Sequence, residues 1–191
     1  HLNVDSVVSN SSGDLWVFFS HPFGCQVVGG SDQHLSLHVV HPQFSSIVVV
    51  SFVHGRCTVA KRFCLWRELL QNKPDGGTWW IVREFNVIVS SSEKKGGRPF
   101  HPSGGLDLLD FMQDAGIFYA DFLGSSFTWC NNRYGQARIW KRLDRMLINS
   151  ECLNITSFIS ISHLVRKPSD HAHFLLSFFH RLDNTPRPLD F

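Results

Sequence analysis

Five residues of this chain carry side chains that together can hydrolyse a phosphodiester: Glu84, Asn86, Asp144, Asp170 and His171. Glu84 and Asn86 closely follow the apolar run Trp79-Trp80-Ile81-Val82, which reads as a buried strand. Side chains just past the carboxyl end of a strand project into the crevice at a sheet's edge. Asp170-His171 sits in a polar loop between two later apolar runs, and Asp144 stands inside a basic stretch. A carboxylate can hold a hydrated Mg²⁺, whose charge offsets that of a phosphate and lowers the pKa of bound water. An Asp-paired imidazole can hydrogen-bond a phosphoryl oxygen and stabilise charge developing there. An amide such as Asn86 can orient water or phosphate. Spacing alone does not separate this set from scattered surface acids. Residues 133–145 hold Arg133, Arg138, Lys141, Arg142 and Arg145 against the single acid Asp144, a net +4. Such a cluster is either a phosphate-binding surface or a solvated face.

Other chemistries find less support. His34, His38 and His41 are close in sequence, but on a strand His34 and His38 share one face while His41 lies opposite. No cysteine or carboxylate at ligand spacing joins them, and a structural zinc site needs four ligands. There is no G-x-S-x-G nucleophile elbow and no glycine-rich phosphate loop of the G-x-x-x-x-G-K type. Cys25, Cys57, Cys64, Cys130 and Cys152 are scattered and odd in number, as reduced thiols are.

The elements that must position these residues are mostly strands. Leu15 to Phe19 is a short apolar run, Leu35, Leu37 and Val39 alternate with polar or small residues, and Ile47 to Val53 is β-branched. Phe63, Trp66, Leu69 and Leu70 recur at helical spacing, and the segment from Asn72 to Gly77 ends that helix. Residues 90–105 read as a loop, after which Ser103 is placed to cap a helix carrying Leu106, Leu109 and Met112 and ending at Gly116. Phe127-Thr128-Trp129 reads as a strand before an Asn131-Asn132 turn. Residues 138–148 fit strand and helix periods equally well. Ile155 to Val165 and His173 to Phe179 read as closing strands, and Pro186 and Pro188 as a tail. Strands with few helices predict an α/β architecture.

The whole chain, 191 residues with a net charge of +2, is long enough for one domain. The expected domain spans 1–182, with 183–191 as tail. Charge is uneven: residues 1–55 have three acids and no Lys or Arg, leaving 18 bases and 13 acids for the rest. No apolar run reaches the roughly 20 residues a membrane helix requires. No secretory signal and no starting Met are present, and the expectation is an intracellular fragment.

Several blocks carry a resemblance. They are Val7-Val8-Ser9-Asn10 with Leu15-Trp16-Val17-Phe18, Phe52-Val53-His54-Gly55-Arg56-Cys57 with Arg62 and Leu65-Trp66, and Phe85-Asn86-Val87-Ile88. Glu93-Lys94-Lys95-Gly96-Gly97, Phe127-Thr128-Trp129-Cys130-Asn131-Asn132, Arg138 through Arg145, and Ser169-Asp170-His171 follow. In order and wording these resemble the endonuclease/exonuclease/phosphatase superfamily, specifically the endonuclease domain of plant LINE-type (non-LTR) retrotransposons. The resemblance runs from Val4 to Phe178. It implies two packed β-sheets flanked by helices, a four-layer α/β sandwich like that of apurinic endonucleases, and it implies that 138–148 is a strand. It also implies a Mg²⁺-dependent site that nicks DNA in the nucleus, beside a reverse transcriptase domain in a longer precursor. By resemblance, Asn86 would position nucleophile or phosphate, and Asp170 would orient His171 or, with Glu84, hold the metal. His171 would contact the scissile phosphate, and Asp144 would support His171 or the metal. Arg138, Lys141, Arg142 and Arg145 would bind nucleic acid.

The chain departs from the family at telling positions. The family's G-D-F-N is Arg83-Glu84-Phe85-Asn86 here, its V-Y-A tyrosine is His54, and a proline near its S-D-H block is His173. The family's first strand and its second, which ends in the principal metal-binding Glu, are not in the sequence, so the resemblance predicts an exposed sheet edge and an incomplete site. The expectation is a degenerate endonuclease without activity. The alternative is a non-catalytic nucleic-acid-binding remnant, or a decayed one, using the stretch Arg138 to Arg145.

Overall fold

The computed structural model describes residues 4–155, 158–166 and 169–179. The chain begins with strands β1 (Ser6–Ser9), β2 (Trp16–Phe19), β3 (Gly24–Gly30), β4 (His34–Val40) and β5 (Val48–His54). Helix α1 (Val59–Gln71) leads to β6 (Thr78–Glu84), and the short β7 (Lys94–Lys95) to helix α2 (Leu106–Ala115). Then come β8 (Ile117–Tyr119), β9 (Phe122–Gly124), β10 (Trp129–Cys130), β11 (Trp140–Lys141), β12 (Asp144–Asn149), β13 (Phe158–His163) and β14 (Phe174–Phe179). The tail prolines 186 and 188 lie outside the described residues.

Six strands form the central sheet, in the order β3-β4-β5-β6-β12-β8. Its β5–β6 pair is parallel and joined by α1, because parallel neighbours need a crossover. Both faces of this sheet are covered, so β5 and β6 read as continuous apolar runs. On one face Val49, Val53, Trp79, Ile81 and Leu147 pack against Leu65, Trp66 and Leu69 of α1 and Leu108, Phe111 and Met112 of α2. On the other, Leu37, Val39, Val50, Trp80, Val82 and Met146 pack toward β1–β2 and the sheet β14-β13-β9. The architecture is α/β, with β-sheets packed face to face and helices outside them. Among the described residues both α-helices lie on the same side of the central sheet.

Two helix faces differ from those expected. In α1 the buried stripe is Arg62, Leu65, Trp66 and Leu69, while Phe63 is 63% exposed. Arg62 goes inside because Asp107 of α2 meets its guanidinium with two hydrogen bonds, of 2.9 and 3.1 Å, and Trp66 Nε1 donates to the same carboxylate. This charged pair locks the helices together. In α2 Leu106 and Leu109 are exposed, and Leu108, Phe111 and Met112 are buried. Ser103 does not cap that helix: its hydroxyl pairs with His101 Nδ1 in a 3₁₀ turn, and Gly105 is the cap residue. Gly116, at φ 68°, terminates the helix as expected.

Residues 138–148 form two strands rather than one. β11 pairs with β10 and β7 in a small separate sheet, whereas β12 joins the central one. The break at Arg142-Leu143 is fixed by Thr128, whose Oγ1 accepts from the backbone N–H groups of Leu143 and Asp144, both at 2.9 Å.

Candidate active site

Three strand ends meet at one edge of the central sheet. His54, Glu84 and Asp144 are register partners across β5, β6 and β12, so their side chains leave the same face in a row. Two residues back, Phe52, Val82 and Met146 form the next row, which belongs to the core between the sheets. The site therefore lies where that core opens.

His171 arrives from the other side. A β-bridge pairs it with Trp129, and the backbone is pinned by Ala172 N–H to Thr128 O at 2.6 Å and Cys130 N–H to Asp170 O at 3.0 Å. Its Nδ1–H donates to Asp144 Oδ2 at 2.9 Å. Its Nε2 lies 3.6 Å from Glu84 Oε1, and Glu84 Oε2 lies 3.7 Å from His54 Nε2. The result is one chain of alternating imidazoles and carboxylates, His54–Glu84–His171–Asp144. His54 Nδ1 is buried without a hydrogen-bond partner.

Burial by itself would push the His171 pKa down. The hydrogen bond and charge of Asp144, with the charges of Glu84 and Asp170, outweigh it and hold the imidazole above its ordinary value. A cationic His171 beside a phosphate is the arrangement that stabilises phosphoryl charge.

Ligand atoms of Glu84, Asp144 and His171 all lie within 4.8 Å of one another, the spacing a metal ion requires. Two carboxylates suit a hard divalent cation that keeps some of its water, and the imidazole suits softer divalent metals. The donor set thus fits a divalent ion through Glu84 and Asp144. Asp170, expected to share the metal with Glu84, lies outside this cluster, and its Oδ2 accepts from Trp129 Nε1 at 3.1 Å. Asp170 fixes the loop and adds charge, while Asp144 orients His171. Asn86 has φ 53° and donates from Nδ2 to Gly55 O at 2.8 Å. It ties the segment after β5 to the end of β6, where a Cβ on Gly55 would stand 2.7 Å from Phe85 O.

The basic stretch divides. Arg145 is 1% exposed and bound to both oxygens of Glu93, at 3.0 and 3.2 Å. Arg142 lies 3.6 Å from the same carboxylate and its guanidinium covers the Phe122 ring at 4.3 Å. Arg145 is thus held inside the fold, and Arg142, partly buried, is engaged by the same carboxylate. The reason is strand alternation: Arg145 follows Asp144 and must point to the helix side of the sheet. Arg138 and Lys141 remain nearer the surface. Arg138 lies over Tyr134 and Trp140, Arg166 over Trp140 at 4.8 Å, and Lys141 over Trp129 at 5.5 Å. Burial, then the nearby Lys94, lowers the Lys141 pKa. Sequence reasoning gave no role to Arg166, nor to Glu93 and Thr128 beyond quoting them in resembling blocks, because Glu93 and Thr128 act on residues distant in the chain.

Among solved structures the chain is similar to the endonuclease domain of TRAS1, a telomere-specific non-LTR retrotransposon. The TM-score is 0.62 at 12% identity, covering 87% of this chain and 73% of that one. It is similar also to the 3′-5′ exonuclease NExo from Neisseria meningitidis, with TM-score 0.55 at 13% identity, covering 83% of this chain and 71% of that one. The chain has the endonuclease/exonuclease/phosphatase fold. Truncated Caenorhabditis elegans TDP2 is a further neighbour, with TM-score 0.50 at 17% identity, covering 86% and 70% of the two chains. At these identities the likeness is one of fold. No protein-family model matches the chain, and no curated protein matches it in sequence. Among the described residues no helix is long and apolar enough to cross a membrane.

Proposed function

We propose that this chain is the endonuclease domain of a plant LINE-type retrotransposon, built for Mg²⁺-dependent hydrolysis of DNA phosphodiesters, in which the hydrolytic step is lost. Its setting would be the nucleus, beside a reverse transcriptase domain. The observation that carries the reading is the His54–Glu84–His171–Asp144 chain at the open end of the inter-sheet core. In such a site Asp144 holds His171 so that Nε2–H donates to a phosphoryl oxygen. Glu84 is the carboxylate placed to take a proton from the attacking water. Bound at Glu84 and Asp144, Mg²⁺ would offset phosphate charge and lower the pKa of that water.

The same geometry argues for the loss. Each Glu84 oxygen faces a ring nitrogen, at 3.6 and 3.7 Å, so an attacking water must compete with two imidazoles for it. Glu84 is also one methylene longer than the Asp of the resembling family, and a misplacement of about 1 Å costs roughly 100-fold in rate.

The test is nicking of supercoiled plasmid by purified chain, with Mg²⁺ or EDTA, beside His171→Ala. We expect no metal-dependent nicking from folded protein. Mg²⁺-dependent nicking that His171→Ala abolishes would overturn the loss and make Glu84 a working base. A second reading, DNA binding without cleavage, is favoured by the cation-over-aromatic surface of Arg138, Lys141 and Arg166. It requires binding that weakens steeply with salt.

A further inference from the structure

Helices α1 and α2 pack together on the outer face of the central sheet, and a groove of about 620 Å³ lies between them. Its floor is the stacked pair Trp66 and Phe111, with ring centroids 4.9 Å apart. From α1 the groove is lined by Val59, Phe63 and Arg67, each about one turn after the last. From α2 it is lined at the same spacing by Leu106, Asp110 and Asp114. Helical spacing made Phe63 and Leu106 core candidates, yet both are exposed, as is Val59. Exposed apolar surface of this kind, rimmed by charge, marks an interaction site. The groove is preformed, because Asp107 takes hydrogen bonds from both Arg62 and Trp66 and so fixes one helix against the other. Asp107 is thereby neutralised. Asp110 and Asp114 are exposed and make no ion pair among the described residues, and neither does Arg67 on the facing wall.

We propose that this groove docks a basic amphipathic helix of a partner protein. Its apolar side would rest on Phe63, Leu106 and the Trp66–Phe111 floor, with a Lys or Arg flank along Asp110 and Asp114. The occupant's apolar anchors, one turn apart, follow the spacing of the two walls, which is how a helix reads a groove. Its cations at the same spacing meet two carboxylates that the fold leaves unpaired. Charge also decides against other occupants: a nucleic acid or an anionic membrane would bring phosphates against Asp110 and Asp114. The groove is on the helix side of the central sheet, whereas the row His54, Glu84 and Asp144 continues the opposite face. The inference therefore does not rest on the proposed function.

The experiment is a fluorescence-anisotropy titration of the purified chain with a labelled Leu/Lys amphipathic helix about four turns long, close to the length of α1. A Leu/Glu peptide of the same pattern and a Leu/Lys peptide with its helical periodicity scrambled are the controls. The Leu/Lys helix should bind saturably at one site, about ten-fold tighter than either control. The decisive variant is Asp110→Lys with Asp114→Lys. Both positions are exposed, and a lysine in place of Asp114 falls in the last turn of α2, where a helix favours cations, so the variant should fold. It should reverse the preference, binding the Leu/Glu helix above the Leu/Lys one. Phe63→Ala should weaken the Leu/Lys helix about ten-fold, as loss of an aromatic anchor does. The proposal is overturned if no peptide binds saturably, if the scrambled peptide binds as well as the helix, or if the folded double variant keeps the parent's preference. A dimer of the chain alone that Phe63→Ala dissolves in sedimentation would give the groove to a second copy, and would overturn it too.

Discussion

His171 owes its raised pKa to Asp144, with smaller contributions from Glu84 and Asp170, and the consequence for stability has a definite sign. A group whose folded pKa lies above its unfolded value stabilises fully below the unfolded value, near 6.5, and loses that contribution as pH rises through the folded one. Asp144→Asn removes the leading partner, so the metal-free variant should titrate His171 at lower pH by NMR. Below pH 6 it should be less stable than the parent by about 1 kcal/mol, a gap that narrows toward pH 8. An unmoved titration would mean Asp144 does not orient the ring. His34 and His163 act in the opposite direction. Burial lowers both pKa values, so both bind protons more weakly folded than unfolded and favour unfolding as pH falls below 6.5. For His34 burial outweighs Glu68, whose Oε2 lies 3.6 Å from the ring.

Between elements, charged groups here serve as clamps. Arg145 of β12 reaches both oxygens of Glu93 in the turn before β7, together with Val87 O and Tyr119 Oη. It joins the central sheet to the loop beneath α2. Truncating one member of a buried pair leaves the other charge uncompensated, so Glu93→Ala should destabilise by about 3–5 kcal/mol in urea unfolding. Replacing both at once, as Glu93→Leu with Arg145→Met, should cost less than either single change. Arg145, in the densest basic stretch of the sequence, could have been assigned to the interior from alternation alone. Once Asp144 is given to the crevice, its neighbour must face the other way. Its partner Glu93 was not legible, because 52 residues separate them.

Among the described residues, the two-stranded β1–β2 sheet leaves one of its faces exposed. Val7 pairs with Phe18 and Ser9 with Trp16, so Val7, Trp16 and Phe18 share a face. Trp16 and Phe18 are 58% and 60% exposed and stack at 6.4 Å. Val8 and Val17, on the opposite face, pack against the core. An exposed apolar face beside unpaired strand edges favours association. Trp16→Lys combined with Phe18→Lys should lower the concentration dependence of sedimentation and keep the melting temperature within a few degrees. Unchanged self-association in that variant would place the sticky surface elsewhere.

The sequence alone determined the α/β class, because β-branched and aromatic runs of strand length are separated by helical stripes and glycine breaks. It determined that Glu84 stands at a strand's carboxyl end, since the apolar run from Trp79 stops there. It brought Asp144 and His171 forward as chemistry-bearing residues without deciding how they pair. Only the tertiary structure decided that Asp144, not Asp170, holds His171, and that His54 faces Glu84. Those contacts are set by register between strands that lie 27 to 87 residues apart, and no local pattern encodes register at that distance.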